Sequence, residues 1–210
     1  MELISAASSA MIQHIMALRD AGKAYLIYFF FDFRDKDKQN LRGLLTSLLT
    51  QLSAYSSSCR AIISRLYLEH ANGAQQPSED ALTNCLKEAL RVVPTAERPT
   101  YIIMDAIDEC PDISGKPTPR EVVLRFIEDL VRQNLPNVHI CVTSRPEVDI
   151  KAVLKPLAVS AVSIHDEIGQ KKDIADYIRA VVYSDEKMRG WSDEDKKLVV
   201  EVLSERADGM

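Results

Sequence analysis

Long apolar stretches are missing from this chain. The longest, Ala24 to Phe31, has eight residues and stops at Asp32, whereas a helix that spans a bilayer needs about 20. Glu2 stands near the start and no lysine or arginine precedes Arg19, so the charged leader of a secretory signal is not expected. Cysteine is scarce and scattered: Cys59, Cys85, Cys110 and Cys141 form no Cys-x-x-Cys pair, and the four histidines are equally dispersed. A zinc site therefore has no support, and reduced thiols in a reducing compartment are expected. No basic stripe exists either. Net charge is −5, with Lys and Arg scattered among Asp and Glu, so nothing would displace phosphate counterions and nucleic acid is excluded as a main partner. The expectation is a soluble, cytoplasmic protein that makes no membrane contact.

What remains is the composition of an ordinary globular protein, 46% hydrophobic and 27% charged over 210 residues. That length suits one large domain, or a main domain and the start of another. Leu3, Ala7, Ala10, Met11, Ile15 and Leu18 recur at helical spacing and predict a helix over residues 2–20, closed by Ala21-Gly22-Lys23. Residues 25–33, apolar but for Asp32, predict a strand covered on both sides. Leucines 41, 44, 45, 48, 49 and 52 mark a second helix, and Ile62 to Tyr67 a third. Ser78 is a candidate N-cap for a helix holding Leu82, Leu86 and Leu90. Thr118-Pro119-Arg120-Glu121 reads as a capping box with proline at the first helical position. Residues 138–143 predict a short buried strand and 159–164 a fourth strand. Helices are expected over about 167–184 and 193–208. Strands separated by helices predict an α/β fold, a parallel sheet covered by helices in three layers. The polar segment 184–195 suggests a division into residues 1–184 and a following helical segment, 185–210.

Residues 101–110, Tyr-Ile-Ile-Met-Asp-Ala-Ile-Asp-Glu-Cys, are the most informative in the chain. Tyr101 to Met104 suit a strand buried on both faces. Asp105, Asp108 and Glu109 follow at its carboxyl end, where open α/β sheets place their ligands. Such carboxylates repel one another unless something positive joins them, and Mg²⁺ held together with phosphate oxygens is the usual answer. The bland alternative is a solvated acidic loop. Arg145 follows the strand at 138–143, where its guanidinium suits a terminal phosphate or, more simply, a local partner such as Glu147 or Asp149.

Three blocks, Tyr25 to Asp35, Met104-Asp105-Ala106-Ile107-Asp108-Glu109-Cys110 and Cys141-Val142-Thr143-Ser144-Arg145-Pro146, together resemble the NACHT-type (STAND) signal-transduction P-loop NTPases, particularly fungal proteins with a nephrocystin-like N-terminal domain. Asp173 to Ile178 fits the same pattern. The resemblance implies that the carboxylate block is a Walker B element. In that role Asp105 holds the metal, Asp108 or Glu109 orients or deprotonates the attacking water, and Arg145 senses the nucleotide phosphate. Intact relatives would use Mg²⁺ with ATP or GTP.

The departure from the family lies in what the 210 residues do not contain: no Gly-x-x-x-x-Gly-Lys-Ser/Thr loop occurs in them. Gly22-Lys23 precedes a strand and lacks the following hydroxyl, so it reads as a helix C-cap. Leu3-Ile4-Ser5 looks like the start of the helix that normally follows that loop. The chain is thus expected to be a fragment without the first, Walker A strand of the sheet. It is expected to be a truncated or degenerate NTPase domain, unable to bind or hydrolyse ATP or GTP alone and carrying no cofactor. The alternative is a non-catalytic interaction module that acts with an intact NTPase relative. Protein partners or self-association are expected in either case, since the sheet would be left with an open edge.

Overall fold

A computed structural model describes residues 2–93, 95–113, 116–162 and 168–206. Its elements run α1 (Glu2–Asp20), β1 (Tyr25–Phe30), α2 (Leu41–Ser53), α3 (Ser57–Glu69), α4 (Glu79–Val92), β2 (Thr100–Asp105), α5 (Pro119–Arg132), β3 (Val138–Val142), α6 (Val148–Leu154), α7 (Ile168–Ser184) and α8 (Asp193–Arg206). The chain divides into two units, one from Glu2 to Ala158 and one from Val159 on.

In the first unit the three strands are parallel, in the order β1-β2-β3. Side chains alternate across the sheet, as the pleat requires. Ile27, Phe29, Ile102 and Met104 join a large core with buried residues of α2, α4 and α5, while Leu26 and Ile103 pack with Ile12 and Ile15 of α1 on the opposite face. This is the three-layer α/β arrangement that the alternation of strands and helices implies. Leu44, Leu45, Leu48 and Leu52 of α2 are fully buried, each worth about 2 kcal/mol in removed apolar surface.

Local chemistry sets the helix ends. Asn40, Ser56 and Ser78 each accept a backbone N–H with their side chains at the starts of α2, α3 and α4. Thr118 and Glu121 form the reciprocal capping box at α5, with Pro119 inside it. Gly22, at φ 73°, stops α1, and the Lys23 N–H closes back on the Leu18 carbonyl at 2.8 Å. Gly43 serves close approach: a Cβ there would meet the Asp37 carbonyl oxygen at 1.7 Å, so only glycine lets α2 begin against the loop that follows β1.

The two edges of the sheet differ. Tyr28 of β1 donates its N–H to Gln51 Oε1 at 3.0 Å and accepts from Gln51 Nε2 at 2.7 Å, and the Tyr55 hydroxyl donates to the Leu26 carbonyl at 2.6 Å. Side chains of α2 and its C-terminal turn thus occupy the outward groups of Tyr28 and the Leu26 carbonyl. No residue of β3 is fully buried, contrary to the expectation of a buried strand, since among the described residues it pairs on one side only. β1 also ends three residues sooner than the predicted strand. Phe31 still donates to the Asp105 carbonyl at 3.0 Å, but Asp32 then turns the chain by accepting the Arg34 N–H at 2.9 Å. The fourth strand is not found over 159–162, where Val159 and Val162 are exposed; 163–164 lie outside the described residues. Helix α6 was not anticipated, its seven residues being too short for a clear period. In the second unit α7 packs with α8, with Val182 and Val200 buried.

The Thr100 hydroxyl is fully buried without a hydrogen-bond partner. An unsatisfied buried group costs about 1–3 kcal/mol, so Thr100→Val is expected to raise the unfolding free energy by about 1 kcal/mol. Urea denaturation followed by circular dichroism measures it; a loss of stability would mean that the hydroxyl has a partner in solution.

Candidate functional site

The carboxyl end of β2 is built on a strained backbone. Ala106, directly after Asp105, sits in the left-handed region at φ 58° and ψ 49°, where an alanine is held at a cost of about 1–2 kcal/mol. Such positions persist only where the surroundings over-determine them, and they cluster at functional sites. Here the surroundings are one residue of the next strand's end. Thr143 Oγ1 accepts the Ala106 N–H at 3.2 Å and donates to Asp105 Oδ1 at 2.5 Å. Its carbonyl takes the Ile107 N–H at 3.2 Å, and its own N–H reaches the Met104 carbonyl at 3.0 Å. Asp105 is thereby held at the end of the central strand, buried at 4% exposure.

The three carboxylates part company after this point. Asp108 turns towards the loop after β3, accepting the Arg145 N–H at 3.0 Å and pairing with Arg145 Nε at 3.3 Å. Its side chain is 8% exposed while that of Arg145 is 54% exposed. Glu109 turns the other way and accepts the Phe33 N–H at 3.1 Å. Among the described residues no three of His, Cys, Asp or Glu stand close enough together to hold a metal ion. The repulsion inferred from sequence is relieved instead by separate partners for each group. Mg²⁺ differs from a caged metal in taking only one or two carboxylates beside waters and phosphate oxygens. The donors present fit it in that limited way, with Asp105 the buried carboxylate at the strand end.

The described concavity of about 350 Å³ is lined by residues of α7 and α8, among them Arg179, Tyr183, Lys197 and Ser204. None of its lining residues comes from the first unit.

A family model described as nephrocystin 3, N-terminal, matches residues 5–145, which include all three strands and end on Arg145. The chain belongs to the nephrocystin 3 N-terminal family. Searches among curated proteins and among solved structures find no match.

Two residues of this nephrocystin-like site escaped the sequence reading, Thr143 and Arg120. Thr143 was visible only as part of the Thr-Ser-Arg-Pro block. Arg120 was hidden inside the capping box, and its placement is unusual because a cation in the first turn opposes the helix dipole. Its guanidinium donates from Nε to the Cys110 carbonyl at 2.9 Å and from Nη2 to the Asp108 carbonyl at 2.8 Å, and Nη1 pairs with Asp149 of α6 at 3.3 Å. One planar fork therefore ties the acidic turn to α5 and to the segment after Arg145. The Cys110 thiol beneath it donates to the Gln39 carbonyl at 3.0 Å, and burial pushes it up to about 12, so it is no nucleophile. At the rim, the Arg34 side chain holds the half-buried Asp32 carboxyl down to about 2. That pairing is present above the ordinary aspartate range and is lost as the pH falls towards 2.

Removing Arg120 would leave two carbonyls and Asp149 without their donor. Arg120→Ala is expected to lower stability by about 2–4 kcal/mol, and Arg120→Lys to recover less than half, since one ammonium cannot match the fork. Denaturant titration of the three proteins checks this; a change below 0.5 kcal/mol (about the scatter of an ordinary surface substitution) would show that the turn holds itself.

Proposed function

We propose that this domain carries the magnesium-facing half of a NACHT-type (STAND) P-loop nucleoside triphosphatase site, in a cytoplasmic signal-transduction protein of the kind found in fungi. The observation that carries the reading is Asp105: a buried carboxylate at the carboxyl end of the central parallel strand, fixed by the Thr143 hydroxyl beside a strained Ala106. Ligand sites of open α/β sheets lie at that end.

In this reading Asp105 takes the Walker B role and holds Mg²⁺, directly or through water. Asp108 or Glu109 orients the attacking water, and both stand on the same turn, kept in shape by Arg120. Arg145 has a mostly exposed guanidinium on a backbone anchored by Asp108, which lets it reach a phosphate while its N–H stays in place. Bound Mg²⁺ with ATP or GTP would supply charge neutralisation of the phosphates. The cradle for the phosphates is the part that these 210 residues do not contain. Each charge-assisted bond of such a loop contributes about 1.5–3 kcal/mol, and two of them account for about 10²–10⁴-fold in affinity.

A second reading is a non-catalytic interaction module that works with an intact relative, favoured by β3, which among the described residues pairs on one side only. The readings separate on one pair of measurements. The 210-residue chain is expected to show no saturable Mg-ATP or Mg-GTP binding by isothermal titration. The same chain preceded by a strand and a Gly-x-x-x-x-Gly-Lys-Ser loop is expected to bind in the micromolar range, and Asp105→Asn in that extended chain to lower Mg²⁺-dependent binding at least tenfold. Tight binding by the 210-mer would overturn the expectation that the loop is required, and indifference of the extended chain to Asp105→Asn would sink the nucleotide reading.

A further inference from the structure

We infer that Asn72-Gly73 is a site of spontaneous deamidation held in check by the folded turn after α3, so that opening of this turn exposes the chain to a permanent change there. The inference uses only the turn's own geometry and is independent of the nucleotide reading.

Five asparagines occur in the chain, and Asn72 alone precedes a glycine. Deamidation begins when the next residue's main-chain nitrogen attacks the asparagine Cγ, and a neighbour without a Cβ leaves that nitrogen unshielded. Asn72 and Gly73 are both exposed, which gives solvent base access to them. The chemistry balances with water as its only co-reactant. Solvent hydroxide takes the Gly73 amide proton and the nitrogen bonds to Cγ. The Cγ–Nδ2 bond then breaks, and the departing group leaves as ammonia with a proton drawn from water, which restores the hydroxide. The five-membered imide takes up one water. Opening at Cγ gives aspartate. Opening at the Asn72 main-chain carbonyl gives isoaspartate, whose backbone runs through Cβ and Cγ and is longer by one carbon.

The folded turn blocks the first of these steps. Ala71, Asn72 and Gly73 stand in succession at φ 54°, 53° and 85°, and Asn72 has ψ 38°. At that ψ the bond to the Gly73 nitrogen lies nearly opposite Cβ, so nitrogen and Cγ meet only after rotation about Cα–C. Gly73 also donates its N–H to the His70 carbonyl at 3.1 Å. Gln75 donates to the same carbonyl at 3.1 Å, and Ala74 to the Ala71 carbonyl at 3.1 Å. The Tyr67 ring lies directly against Gly73.

Little of this is anchored in the core. No residue of the turn is buried, and Tyr67 is 54% exposed. Ala71 carries a left-handed strain that a glycine would not. Segments with few buried contacts open locally, well short of global unfolding, so the reaction runs from the opened turn at a rate set by its opening. Aspartate tolerates the left-handed region as asparagine does, and that product keeps the turn. The extra carbon of isoaspartate displaces Gly73 from the His70 carbonyl, which makes the opening permanent.

The test is incubation of the native chain at mildly alkaline pH, folded and in urea, with peptide mapping by mass spectrometry and isoaspartyl methyltransferase labelling. Asn72 is expected to deamidate before every other asparagine, mainly to isoaspartate, and at least tenfold faster in the unfolded chain than in the folded one. Ala71→Gly relieves the strain that favours opening. It is expected to slow the folded reaction at least threefold and to leave the unfolded rate unchanged. Earlier reaction at another asparagine, equal rates in the folded and unfolded chains, or an unchanged folded rate in Ala71→Gly would each overturn the inference.

Discussion

The hydroxyl of Thr143 is the smallest group on which the candidate site depends. It lies between two strands that carry no charged residue until their ends, and it satisfies two demands at once: the N–H of a strained Ala106 and a buried oxygen of Asp105. A carboxylate with little access to water needs hydrogen-bond donors, and a left-handed alanine needs its amide fixed. One side chain meets both. Because Thr143 is also tied through its backbone to Met104 and Ile107, the ends of β2 and β3 behave as one piece. The positions of Asp108 and Arg145 then follow from the chain leaving that piece in two directions.

This arrangement shows how three acids at one strand end avoid repelling one another. Five residues bring three carboxylates to the end of one strand, but a short turn after Ala106 splays them apart. Asp108 reaches across to Arg145, Glu109 reaches back to the loop after β1, and Asp105 stays inside. Arg120 acts on the backbone rather than on the carboxylates, drawing in the carbonyls of Asp108 and Cys110. Its cost at a helix N-terminus is offset by Asp149 and by those carbonyls. The site is therefore electrostatically quiet as it stands, and a phosphate or metal would have to compete with existing contacts instead of filling a charged void.

Much of the first unit was legible because its signals are short-range. The leucine stripe of α2, the Ser78 cap and the Thr118–Glu121 capping box each encode their element within a few residues, and the structure places all of them where the pattern does. The apolar run before Asp105 likewise marks the central strand, since only a strand with neighbours on both sides and helices on both faces can be apolar throughout. Legibility failed where long-range pairing decides. Residues 138–142 are as apolar as residues 101–104, yet one strand is central and the other an edge. Arg120 and Thr143 are ordinary residues in sequence; their roles come from which carbonyls and carboxylates the fold brings to them. Spacing could suggest that the three acids share a strand end but not that they diverge, because a single left-handed residue sets their directions.

The contrast between the two edges bears on how such a domain stays in solution. An open strand edge pairs readily with another, and folds usually guard against it with charge, proline or a covering element. On the β1 side this domain uses a side-chain amide that mimics a backbone pair, Gln51 against Tyr28, together with a tyrosine hydroxyl. Both come from the helix that also supplies the leucine core, so the protection follows directly from packing α2. On the β3 side, α5 sends its buried residues into the core on one face of the sheet, and among the described residues no side-chain amide is bonded to the outward groups of Ile140 and Val142. Ile140 and Val142 lie partly buried against that core, so β3 is held by β2 and by its own side chains, whereas β1 is held by α2 as well.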